Sequence, residues 1–264
     1  MKCLVTKLNG VAQNNELLKM DECSVCFKVS KSPTSLEIPS GINFSVDNVA
    51  YTRGSAIPVG EHLLKISPKS SLEYIRFTDD NIVVDLSSLK GTGNMLSLKE
   101  INQTNTSTLY KGNCYKGNLL DLIDFSNLEK MEFEGCTGMK GNTSDLLNFP
   151  KIKIFYGYKT SIDFSDISPL LQLKTLEDLR LGGKGVNIEP LAVLTNLKKI
   201  QCAYAQFSGS IENLAQGMID NGRTTGTLII NCSFSDITYK GKKSNKIVTY
   251  TITFSDKSYS VSES

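Results

Sequence analysis

The chain has 264 residues, with 29 Lys plus Arg against 27 Asp plus Glu and a formal charge of +2. That length exceeds the usual single domain and predicts a small domain joined to an extended array. Charge is nearly balanced, with no basic block except Lys240 to Lys246, which excludes bulk affinity for nucleic acid, and no apolar run is long enough to span a membrane.

The first residues, MKCLVTKLNG, hold an apolar patch of only Cys3, Leu4 and Val5. A secretory leader needs a longer apolar core, so the expectation is a chain without a signal peptide. Cys3 to Leu8 reads as a first strand and Asn9 to Glu16 as a polar turn. Strand-like segments follow at Ser24–Val29, Asn43–Val46 and Leu63–Ile66, punctuated by Pro33, Pro39, Gly41, Gly54, Pro58 and Gly60. Residues 1–70 are therefore expected to form a small N-terminal β domain. It would act as a cap, since the first unit of a stacked array otherwise exposes its core.

From residue 71 a repeat sets in. Its clearest turn is Leu176 to Gln201, where LEDLRL is Leu-x-x-Leu-x-Leu, followed by Gly182-Gly183, then Ile188, Leu191 and Leu194, and a new strand start at Leu197. Strand starts recur at Leu72, Leu98, Leu128, Ile152, Leu176, Leu197 and, loosely, Thr227. A second apolar set precedes the central strands: Leu122, Phe125 and Leu128; Leu146, Phe149 and Ile152; Leu170, Leu173 and Leu176; Leu191, Leu194 and Leu197. Three-residue spacing suits tight 3₁₀ turns on the convex side. Both sets keep phase, which is the mark of a leucine-rich repeat. The predicted fold class is α/β, a leucine-rich repeat solenoid with a parallel sheet over residues 71–235, preceded by the β domain and closed by a β cap. Leu128, Met131, Leu176, Leu179, Leu181, Leu197 and Ile200 are predicted to share one core.

Two stretches break the pattern. Asn105 to Asn118 has few core residues and reads as an excursion, either a binding insertion or a plain long loop. Between Gly209 and Gly226, Ile211, Leu214, Ala215, Met218 and Ile219 recur at helical spacing and Asn221-Gly222 supplies a stop, so a true helix is predicted there. Residues 236–264 alternate around KGKKSNK and SDKS, which predicts an antiparallel C-terminal cap.

No residue set carries catalytic chemistry. Cys23-Ser-Val-Cys26 has redox or zinc spacing, but no second pair accompanies it and it falls on a predicted strand. The seven cysteines are odd in number and outline no disulfide framework. His62, the single histidine, has no nucleophile motif beside it. The expectation is a non-enzymatic protein with no cofactor and no metal.

What remains is surface. Alternate side chains of the Leu-x-x-Leu-x-Leu strands point out of the solenoid. These are Tyr74 and Arg76, Lys130 and Glu132, Ile154, Tyr156 and Tyr158, Asp178 and Arg180, and Lys199 and Gln201. Tyrosines mixed with charges make a candidate recognition face, with Tyr156, Tyr158 and Arg180 at its centre and Lys130, Glu132, Tyr74 and Arg76 around them. A merely solvated sheet looks the same, and both readings stand at this point. A protein and a carbohydrate are equally suited as ligands, and packing against a neighbouring subunit is the rival use.

DISPLLQLKTLEDLRL and IEPLAVLTNLKKI resemble the bacterial leucine-rich repeats of internalin-type proteins over most of Leu119 to Cys202. MKCLVTKLNGVAQNNELLKMDE resembles an N-terminal segment shared among structural proteins of Bacteroides-infecting, crAss-like phages. GSIENLAQGMIDNGRTTGTLII resembles a segment of phage and prophage proteins from the same hosts. These resemblances imply a virion structural protein, tail- or fibre-associated and present in multiple copies or as a homo-oligomer within an assembly. Such a protein is assembled in the host cytoplasm and displays its repeats toward a host surface protein or polysaccharide. Attachment to other virion proteins then falls to the N-terminal strand, with Leu4, Val5 and Leu8 as candidates, because an isolated strand gains stability by pairing. The alternative is a bacterial leucine-rich repeat protein that mediates protein–protein interaction or adhesion.

Overall fold

The structure is a computed structural model that describes residues 22–31, 36, 41–77, 81–90, 97–103, 115–182, 184–202, 206–232, 235–244 and 247–264. The attachment candidates Leu4, Val5 and Leu8 lie outside the described residues. The N-terminal part holds β1 (Cys23–Val29), β2 (Asn43–Val46), β3 (Val49–Ala50) and β4 (Gly60–Ser67). In β1 the side chains of Cys23, Val25, Phe27 and Val29 are buried and the residues between them are not, the period-2 pattern of a strand with one face on a core.

The repeats follow turn by turn, each giving one strand to each side of the molecule: β5 (Tyr74–Phe77) and β6 (Ile82–Asp85), β7 (Glu100–Gln103) and β8 (Tyr115–Asn118), β9 (Lys130–Glu132) and β10 (Gly138–Asn142), β11 (Ile154–Tyr156) and β12 (Ser161–Asp163), β13 (Asp178–Arg180) and β14 (Lys184–Asn187), β15 (Lys199–Cys202) and β16 (Gln206–Ser210), β17 (Thr225–Cys232) and β18 (Asp236–Tyr239). The chain ends with β19 (Lys242–Lys243), β20 (Val248–Ser255) and β21 (Ser258–Glu263). β5, β7, β9, β11, β13, β15 and β17 are parallel neighbours, and β20 and β21 extend them antiparallel into a nine-stranded sheet. Their register runs Tyr74, Glu100, Lys130, Ile154, Asp178, Lys199, Ile229, so every step equals the spacing of the strand starts read from the sequence. The protein is thus mostly sheet, built as a leucine-rich repeat solenoid.

The opposite side differs from expectation. It carries not only 3₁₀ turns but a second strand in each turn. β12, β10, β8 and β6 join β1, β4, β2 and β3 in an eight-stranded sheet, and β14, β16, β18 and β19 form a four-stranded one. The predicted excursion at Asn105 to Asn118 ends in β8, a regular member of that sheet; residues 104–114 lie outside the described residues. β8, β10, β14 and β16 escaped the sequence because they are short, contain glycine, as in KGN and MKGN, and do not alternate clearly. β6 and β12 are only short, and β18 falls in the stretch expected as the antiparallel cap but pairs parallel with β16. Gly141 shows why glycine stands there: its φ is +134°, and a Cβ would sit 2.8 Å from the Asp145 carboxylate. That carboxylate accepts from the Asn142 N–H at 2.9 Å while the Asn142 side chain accepts from Ser144 and Asp145, a capping box that starts the 3₁₀ helix Thr143–Asn148.

The three-residue apolar spacing has a direct cause. Phe149 N–H donates to Leu146 O and Ile152 N–H to Phe149 O, and the same pairs recur at Leu170, Leu173 and Leu176 and at Leu191, Leu194 and Leu197. Successive i to i+3 bonds place these side chains in one line toward the core. The helical part of the α/β expectation is small: 3₁₀ helices and, among the described residues, one α-helix, Ile211–Asp220, capped by Ser210. It falls in the long step from Lys199 to Ile229, where the turn has residues enough for one. Leu128, Met131, Leu176, Leu179, Leu181, Leu197 and Ile200 are all buried, in one cluster that reaches from Cys23 to Phe254.

Candidate recognition face

The outward side of the nine-stranded sheet is made by positions one before and one after the buried centre of each strand. Around Phe155, Leu179 and Ile200 these are Ile154 and Tyr156, Asp178 and Arg180, and Lys199 and Gln201. Parallel register sets them in two rows across the sheet, one led by Lys130, Ile154, Asp178 and Lys199, the other by Glu132, Tyr156, Arg180 and Gln201.

The second row is interlocked. The Arg180 guanidinium lies 3.8 Å above the Tyr156 ring centroid and donates to Glu134 at 2.8 Å. The Tyr156 hydroxyl donates to Asp178 at 2.6 Å, and Lys130 pairs with Glu132 at 3.3 Å. Tyr156 is 8% exposed. Burial, then its bond to the Asp178 carboxylate, pushes the Tyr156 phenol well up, so it stays a neutral donor. Burial would lower Arg180, but Tyr156, Glu134 and Asp178 together hold it above its ordinary value. Glu134 Oε1, Asp178 Oδ1 and Arg180 Nε are nonetheless buried with no hydrogen-bond partner.

Glu132 is raised, chiefly by burial with a contribution from Glu100, against the opposing pull of Lys130 and Arg180. A carboxyl raised on folding adds stability below its ordinary value of 4.5, and that stability is lost as pH rises through the raised value. Glu132→Gln is therefore expected to raise the denaturant midpoint at neutral pH and to flatten its dependence on pH above 4.5. Midpoints of the two proteins measured in acid and at neutral pH check this; a larger fall of the variant at neutral pH would show that the Lys130 pair outweighs burial.

The structure thus brings Lys130, Glu132, Tyr156 and Arg180 together. Tyr74 lies on the same face in β5, at the far end of the row, half-buried. Arg76 is in β5, but its side chain is outside the described residues. Tyr158 departs from the alternation: it lies past the end of β11, 5% exposed, with its carbonyl accepting from the Gly135 N–H. The strand ends at Tyr156, so the outward rule no longer governs Tyr158.

Sequence reading missed several groups. Glu134 pairs with Arg180 across 46 residues, a contact only stacking creates. Along the strand starts Glu73, Lys99, Glu129, Lys153, Glu177 and Lys198 alternate in sign, and bonds run Lys99 to Glu73 at 3.2 Å, Lys153 to Glu129 at 2.7 Å and Lys198 to Glu177 at 2.6 Å. The signal was present, since each is the second residue of its Leu-x-x-Leu-x-Leu unit. Next to this ladder lies an open depression of about 680 Å³ lined by Asp178, Lys198, Lys199, Asn196, Thr227 and Ile229. Ile229 is 36% exposed there, and sequence reading did not place it on the face.

Outside this face, Cys23 and Cys26 stand on one strand an odd number of residues apart, so their side chains leave opposite faces and cannot chelate together. His62 contacts Asp47 at 2.7 Å and Pro58 O at 2.9 Å, with its ring 5.4 Å from Phe27. Among the described residues no His, Cys, Asp and Glu group is placed to hold a metal, and no helix is long and apolar enough to cross a membrane.

No family model and no curated protein matches the chain. Among solved structures it is similar to internalin C2 of Listeria monocytogenes, with 15% identity, 66% of this chain and 76% of that one covered, and a TM-score of 0.40. For internalin F of the same bacterium the figures are 16%, 65% and 64%, and 0.35. For the functional domain of InlJ, also from Listeria monocytogenes and described as including a cysteine ladder, they are 15%, 54% and 32%, and 0.32. The repeat assignment rests on the register and burial of this chain's own strands.

Proposed function

We propose that this protein is a non-enzymatic recognition module whose nine-stranded sheet binds a protein or polysaccharide on a cell surface. The observation that carries this reading is the outward face itself. Three buried polar atoms on Glu134, Asp178 and Arg180 have no partner among the described residues, and one of these residues, Asp178, also lines the open depression. Folded cores rarely leave such atoms unpaired, and groups of them mark functional surfaces. The interlock of Tyr156 and Arg180 moves the contact centre from where sequence spacing put it. Those two residues form a rigid wall, and Lys199 and Ile229 beside it offer the accessible charge and apolar surface.

The resemblance of the first residues and of Gly209 to Ile230 to phage proteins supports display of this module on a virion, on a tail or fibre. In that reading Leu4, Val5 and Leu8 attach it to other virion proteins. Mass spectrometry of purified particles tests the placement: abundance in particles supports it, and presence only in infected-cell lysate overturns it in favour of a bacterial adhesion protein.

Recognition is tested separately with labelled protein on Bacteroides cells. Lys199→Glu with Ile229→Asp is expected to reduce cell binding on the order of tenfold or more, as loss of a central contact pair does. Because Lys199 is half-buried and Ile229 36% exposed, a cooperative melting curve accompanies the assay to show that the variant is folded. Unchanged binding by the folded double variant would remove this face from consideration.

A further inference from the structure

We infer that β21 is a self-pairing edge, through which two copies of this chain join their nine-stranded sheets into one. The parity of the strand's hydrogen bonds fixes which of its backbone groups point away from the sheet. Thr249 and Ser264 exchange both backbone bonds, at 2.8 and 3.0 Å. In an antiparallel pair such exchanges alternate along the strand. With Thr251 opposite Ser262, Thr253 opposite Ser260 and Ser255 opposite Ser258, the even-numbered residues of β21 face β20. The N–H and C=O groups of Tyr259, Val261 and Glu263 therefore point away from the sheet. Among the described residues no other strand pairs with β21. Val261 O takes one long bond, 3.4 Å, from the Tyr239 hydroxyl, and its second lone pair stays available.

The other ends of the sheets are blunted in the ways edges usually are. β19 is two residues long and both are lysine. β3 has two residues and β12 three. β5 and β14 have four residues each and contain Arg76 and Lys184. β21 has six, Ser-Tyr-Ser-Val-Ser-Glu, with no lysine, arginine or proline.

A second copy of the same strand fits this edge in register. An antiparallel pairing centred on Val261 sets Val261 against Val261, and Tyr259 against Glu263, so each outward-facing residue meets an outward-facing residue and exchanges both bonds. Glu263 meets a tyrosine rather than its own charge. On the solvent face Ser260 meets Ser262, and these small side chains leave the approach open. The two-fold axis of such a pair stands perpendicular to the sheet, so both outward faces look the same way. If those faces recognise a surface, the dimer is bivalent and gains avidity; that consequence rests on the recognition reading, and the dimer does not.

The test is mass in solution, by light scattering or sedimentation of the full chain over a concentration series. The wild-type chain is expected to form a concentration-dependent dimer. Val261→Pro removes an outward N–H and no bond to β20, so it is expected to give a folded monomer. Ser260→Lys with Ser262→Lys sets like charges opposite one another across the axis and is also expected to be monomeric. Mixing that variant with Ser260→Glu plus Ser262→Glu is expected to restore the dimer mass as a heterodimer, a result that a merely structural defect does not produce. A wild-type chain that stays monomeric at its highest soluble concentration overturns the inference. So does a dimer that persists in both the Val261→Pro and the double-lysine variants. Cell-binding assays play no part in this outcome, so the failure of one reading leaves the other standing.

Discussion

Leu179→Ala is expected to lower the stability of this protein by about 2–5 kcal/mol, read as a fall in denaturant midpoint. Leu179 is wholly buried at the centre of β13, between Phe155 of β11 and Ile200 of β15 in the register of the sheet. Removing its branched end takes apolar surface out of the core and leaves a cavity, and neighbours fixed by parallel strands on both sides have little room to close it. A solenoid stacks each turn only on its neighbours, so the loss is expected to be cooperative across adjacent turns rather than local. A variant with the wild-type midpoint would refute the repeat register, since only a residue outside the stack tolerates this change.

A comparable loss is expected from Arg223→Ala. Arg223 is 7% exposed, and among the described residues no acid is paired with it. Its guanidinium donates to Leu197 O and, at 2.7 Å, to Thr227 O, and lies 4.4 Å above the Phe254 ring. Its own N–H donates to Met218 O at the end of the α-helix. The side chain thus joins the turn before β15, the start of β17 and the face of β20, while the backbone of the same residue holds the end of the helix. Burial alone draws its pKa down, and the two carbonyls and the ring take the place of a counter-ion. Alanine leaves both carbonyls without their donor, at about 1–3 kcal/mol each. Arg223→Lys keeps the charge but lacks the planar fork that spans two acceptors, so it is expected to fall between the two. Thermal melts of the three proteins check the order; equal melting of the alanine and wild-type proteins would show that the bridge contributes nothing net.

In the sequence itself were the phase of the repeats, the buried line of each strand, the 3₁₀ turns and the helix Ile211–Asp220. Each of these is a periodic consequence of burying leucine, and period survives in one dimension. The expected strands at Ser24–Val29, Asn43–Val46 and Leu63–Ile66 appear as β1, β2 and β4 for the same reason. Outer strands such as β8 and β10 were not legible, because glycine and asparagine there serve backbone geometry and capping, which leave no alternation. Nor was the character of the recognition face. Tyr156 and Arg180 look like free anchors when only spacing is known. Stacking the turns brings Asp178 to the tyrosine hydroxyl and Glu134 to the guanidinium, and the pair becomes a wall beside a depression at Lys199 and Ile229. Contacts between residues 22 and 46 positions apart depend on how far each turn rises and where its strand ends, and those quantities exist only once the chain is coiled.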